Sequence, residues 1–135
     1  MIVNSGFGCK RFTYSAPEEF GATYQTITIN KTYVPSTQTN YVARIPASLF
    51  SSDFFTKLAI GGSPRFTLND GTTKLATEQV YLDVSGSKGY YNVLVPTVNG
   101  TGEGSSTSIR VYYENSLDVA PAHYSDGRNA VWANN

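Results

Sequence analysis

The sequence predicts an all-β chain: a single antiparallel β-sandwich, jelly-roll-like, with an extended N-terminal arm. Three observations carry this expectation. Short segments rich in β-branched and aromatic residues recur along the chain, as in Tyr90–Val95 and Ser106–Tyr113. Gly, Pro and Asn punctuate them, as in the loop Thr97–Ser105. Helical periodicity is confined to one segment. Many short strands separated by turn signals, with almost no helix, describe a sandwich.

Taken in order, residues 1–19 mix Gly6, Gly8, Pro17 and the pair Glu18-Glu19 without a clear period, and are expected to form the arm. The domain is expected to span residues 20–135. In Thr23–Asn30, Ile27 and Ile29 alternate with Thr26 and Thr28, which reads as a half-buried strand. Tyr41–Ile45 is a second strand, stopped by Pro46. Between Ala47 and Ile60, Leu49, Phe50, Phe54 and Leu58 recur at helical spacing. Ser51, Ser52 or Asp53 can cap a short helix there.

After the break at Gly61–Pro64, Arg65–Leu68 is a short strand and Asn69-Asp70-Gly71 a tight turn, because Asp-Gly readily adopts positive φ. A long strand is expected over Thr73–Val84, turned back by Ser85–Gly89 into Tyr90–Val95. Ser106–Tyr113 follows, and Val131-Trp132 suggests a last edge strand.

Composition narrows the function classes. The chain has 135 residues, zero formal net charge and only 15% charged residues, against about 25% in an average domain. No basic face for nucleic acid and no polybasic patch for a membrane is expected. No run is long and apolar enough to span a bilayer. The single cysteine, Cys9, excludes an internal disulfide framework. The first residues carry Lys10 and Arg11 after the short apolar piece, the reverse of a signal peptide, so an exported chain would leave by another route, such as lysis of a host cell.

Catalytic constellations are sparse. The one histidine, His123, lies beside Ser125 and Asp126 in a turn-like segment, which is adjacency rather than a converging triad. One His and one Cys do not make a zinc site. Asp70, Asp83, Asp118 and Asp126 lack a calcium-loop register, and a turn role suits Asp70 and Asp126 better. Glycosidase carboxylates need to sit about 5–10 Å apart. Glu78 and Asp83, five residues apart on one expected strand, are predicted to face opposite sides. No enzyme, cofactor or metal is therefore expected. The acceptor motifs at Asn30 and Asn99 are taken as chance.

Recognition needs less: an aromatic platform and a few amides or hydroxyls. In Tyr90-Tyr91 and Tyr112-Tyr113, adjacent residues point to opposite faces, so one of each pair is expected in the core and one outside. Tyr81, Tyr91, Tyr113, Trp132 and Asn92 are the expected ligand or partner contacts.

Five blocks then come in a telling order: Pro64–Gly71, Thr77–Tyr81, Val93–Pro96, Ile109–Asn115 and Ala130–Trp132. Over residues 24–132 this resembles a bacterial and phage domain of unknown function that often precedes a concanavalin-like lectin domain. Its pattern is an R-F-x-x-x-D-G turn, a V-x-V-P strand, a Y-Y-G-N strand end and a late V-W. The chain departs from it at Glu114, where the pattern has glycine, and at Asn92, where it has an aromatic. The resemblance implies a β-sandwich with an interaction or sugar-recognition role. The function expected is a non-enzymatic structural or adhesion module of a phage particle, a capsid decoration or tail component. It would be located in the virion after assembly in the host cytoplasm, with other virion proteins or copies of itself as partners. The alternative is a carbohydrate-binding module for cell-surface glycans.

Overall fold

The computed structural model describes residues 21–114 and 125–133. The expected arm, Cys9 and His123 lie outside the described residues, as do the side chains of Ser125 and Asp126. Six strands form two three-stranded antiparallel sheets, as the composition and turn pattern predicted. The strands are β1 (Tyr24–Ile29), β2 (Gln38–Pro46), β3 (Arg65–Leu68), β4 (Thr77–Asp83), β5 (Lys88–Val98) and β6 (Thr107–Tyr112). One sheet has the order β1-β6-β3 and the other β2-β5-β4. Among the described residues, only β4 and β5 form a hairpin within one sheet. The other connections between described strands cross between sheets, and the loop after β5 carries the chain across rather than joining a paired hairpin.

Alternation along each strand builds the core. Ile27, Phe66, Ile109 and Val111 from the first sheet meet Ala43, Ile45, Tyr91, Val93 and Val95 from the second in one buried cluster. Ring contacts cross the gap, with the Phe66 and Tyr91 centroids 5.3 Å apart. The helical spacing after β2 is real: α1 spans Ser52–Ala59. Ser51 caps it by accepting the Phe54 amide, which has no partner within the helix. Phe54 is fully buried and stacks on Phe50 at 4.2 Å between centroids. Leu49 is exposed and Phe55 buried instead, because a one-turn helix over Ala47–Leu49 precedes α1 and shifts the apolar face.

Two expectations about strand extent change. The stretch Thr73–Val84 is not one strand. Leu75 donates its amide to Phe66 and Lys74 bridges Thr67, so residues 73–75 belong beside β3. The chain crosses to the second sheet just before β4. Val131-Trp132 is not an edge strand but the end of α2 (Ser125–Trp132), which packs on β4 and β5. A short apolar run is ambiguous between the two states, and burial of Val131 in the helical form decides it.

Candidate functional site

The site grows from an irregularity in β4. Glu78 is opposite Asn92 and Gln79 opposite Tyr91, but Tyr81 is opposite Tyr90, so Val80 is an extra residue. Such a bulge shifts side-chain alternation by one position. Tyr91, Val93 and Val95 of β5 point into the core, so Tyr90 and Asn92 face outward. The residues opposite them, Tyr81 and Glu78, therefore face outward too. Without the bulge, residues three apart would point to opposite sides. The same shift corrects the expectation for Glu78 and Asp83. Asp83 is opposite Lys88, which shares the face of Tyr90 and Asn92, so both acids lie on the outer face.

Helix α2 lies on this face and completes the group. Glu78 is its hub. One carboxylate oxygen accepts from the Asn92 amide at 2.9 Å and from the Trp132 indole N–H at 2.8 Å. The other lies 3.2 Å from Nε of Arg128. Burial pushes the Glu78 carboxyl up, but the bonds from Asn92 and Trp132 and the charge of Arg128 outweigh it. The group titrates below its ordinary range and stays ionised. Further along the face, the Arg44 guanidinium sits 3.7 Å over the Tyr90 ring. Tyr81 and Trp132 are each 44% exposed, and Val80 is exposed on the same strand. That strand is an edge of its sheet among the described residues.

Three of the five expected contact residues, Tyr81, Asn92 and Trp132, thus share one face. Tyr91 and Tyr113 do not. Tyr91 is fully buried, its hydroxyl donating to Gln79 at 3.0 Å. Tyr113 is buried against Phe54, its hydroxyl 3.3 Å from Asp53, and burial raises its pKa. Tyr91 lies on the central strand β5, and Tyr113, one residue past the end of the central strand β6, continues the core-facing side of Ile109 and Val111. Tyr112 is buried as well, so the expected split of that pair into one core and one surface residue fails. It lies on the outer face of its sheet, and Tyr24 covers it there at 5.0 Å between centroids. Residue patterns alone did not select Glu78, Arg128, Arg44 or Tyr90. No turn or glycine in the sequence announces the bulge that aligns them.

The remaining acids with defined partners serve structure. Asp70 accepts from the amides of Thr72 and Thr73 and the Thr73 hydroxyl, which holds its pKa at about 2. Asp83 accepts from the Gly86 amide and the Ser85 hydroxyl in the β4–β5 turn. Glu114 accepts from the Thr23 hydroxyl and amide and pairs with Lys57 at 3.1 Å. Among the described residues, no group of three or more His, Cys, Asp or Glu side chains is placed to hold a metal ion. Among the described residues, no helix is long and apolar enough to cross a membrane. The chain matches no family model, no curated protein and no solved structure.

Proposed function

We propose that this domain is a non-enzymatic contact module of a phage particle, a capsid decoration or tail component. It holds other particle proteins, or copies of itself, through the outer face of β4 and α2. The observation that carries this reading is the exposed pair Val80 and Tyr81 on the edge strand β4 together with exposed Trp132 of α2, which bonds to Glu78 of that strand. Large aromatic side chains on a low-charge surface suit protein contact, since they bury area and lose little rotamer freedom. The polar groups that a glycan would need on this face are already engaged, because the Asn92 amide and the Trp132 N–H both donate to Glu78. That favours a protein partner over a sugar here. Ionised Asp70, Asp83 and Glu114 are each taken up by turn amides, hydroxyls or Lys57, which supports a structural rather than a catalytic role for them.

Mass spectrometry of purified phage particles encoding this chain should find it at a fixed ratio to the major capsid protein. Particles assembled with a Tyr81→Ser/Trp132→Ser variant that keeps its β circular dichroism should lack it. A chain absent from purified parental particles overturns the reading.

A further inference from the structure

On the opposite sheet, away from the β4–α2 face, Tyr24, Asp70, Gly71, Thr72, Arg110 and Tyr112 line an open cleft of about 370 Å³. The volume falls in the range of small-ligand sites, about 300–1,000 Å³. Arg110, on the central strand β6, forms its floor. Its Nη1 donates to the Tyr112 hydroxyl at 3.2 Å and its Nε to Asn69 at 3.4 Å. The guanidinium carbon lies 4.5 Å from the centre of the Tyr24 ring. These contacts fix the fork in place, but none of them is an ion pair.

The neighbouring acid makes no ion pair with it, although the Asp70 charge favours the charged guanidinium. The Asp70 carboxylate is turned to the Thr72 and Thr73 amides and the Thr73 hydroxyl. No described carboxylate lies within ion-pair distance of Arg110. The cleft also depends on a glycine. At Gly71, with φ +77°, a Cβ would lie 2.7 Å from the Tyr112 hydroxyl and 2.8 Å from Nη1 of Arg110. Any side chain there would displace the floor.

We propose that this cleft binds a small carboxylate-bearing sugar. The Arg110 fork pairs with the carboxylate, since guanidinium and carboxylate match geometrically. The Tyr24 ring, 44% exposed, takes the apolar C–H face of the sugar. Thr72 lines the same cleft, with its hydroxyl beside the Asp70 carboxylate, and meets a ring hydroxyl there. A bare anion would leave the exposed side of the Tyr24 ring uncovered, and a neutral sugar would leave Arg110 without a counter-charge. This site is independent of the β4–α2 contact face and stands whether or not that reading holds.

The test is calorimetric and NMR titration of the full chain with methyl glucuronide, methyl glucoside and acetate. Methyl glucuronide is expected to bind and to shift the amide signals of Tyr24, Gly71 and Arg110. Methyl glucoside should bind at least about tenfold more weakly, the scale of a lost charged hydrogen bond, and acetate, which lacks the ring that covers Tyr24, should also bind more weakly. Arg110→Gln should lose a similar factor, and Tyr24→Ala should weaken the glucuronide without touching acetate. If Arg110→Gln does not fold, Arg110→Lys keeps the charge but not the fork and should still weaken binding. Equal affinity for glucoside or acetate, unchanged affinity in folded Arg110 variants, or no uronate binding at all would overturn the proposal.

Discussion

At the scale of single residues, Asp70 and Glu114 act as structural staples, one within a turn and one between elements. Glu114 replaces a glycine of the resembled pattern, and its charge has a defined task. It links the end of β6 to Thr23 beside β1 and to Lys57 on α1, and those bonds hold its pKa below the usual range. Asp70 shows the same logic more strongly, with a folded pKa of about 2 against an ordinary 3.8. The depressed value means that the folded state favours the ionised form. Its stabilising effect is complete above the ordinary carboxylate range, about pH 4. It is lost as the pH falls towards 2, where the unfolded chain binds the proton first. Asp70→Ala should therefore melt below the parent at pH 7, and its melting temperature should fall less between about pH 4 and pH 2. Parallel pH profiles for the two proteins would contradict this. That Asp70 belongs to a turn was legible from the Asp-Gly step. That Glu114 reaches two other elements was not, because its partners are 91 and 57 residues away in sequence.

At the scale of elements, local signals were reliable where a single element explains them. The capping serine and the spacing of Phe50 and Phe54 marked α1, and Ser51 caps it. Ser51→Ala should destabilise the fold by about 1 kcal/mol in urea unfolding, the usual loss for an N-cap. A change near zero would mean that the 3.3 Å contact with the Phe54 amide contributes nothing. Signals failed where a neighbour decides. Val131-Trp132 joins a helix because α2 packs on β4 and β5, burying Val131. The strand expected over Thr73–Val84 splits because residues 73–75 find partners on β3 and residues 77–83 on β5. Backbone groups take whichever partner the tertiary arrangement offers, and β-propensity does not distinguish between two sheets.

At the scale of the whole molecule, α1 and the aromatic core hold the two sheets together. Phe54 contacts Phe50, Phe55 and Tyr113 and is fully buried. Phe54→Ala should cost about 3–5 kcal/mol, a large share of the ~5–15 kcal/mol that stabilises a typical domain. Chemical denaturation followed by circular dichroism checks this, and a loss under about 1 kcal/mol would show that the cluster repacks around the void. The sequence by itself determined the all-β class, the turns, the capped helix and the alternation that builds the core, because each depends on residues within a few positions of one another. Only the tertiary structure decided which tyrosines are buried and which outer faces exist. The central position of β5 puts Tyr91 inside, Tyr113 follows the core-facing side of β6 just past its end, and one extra residue at Val80 brings Tyr81 and Glu78 to the same side. Register between strands far apart in sequence is set by pairing and packing together, and a single-residue shift in it reassigns every side chain beyond.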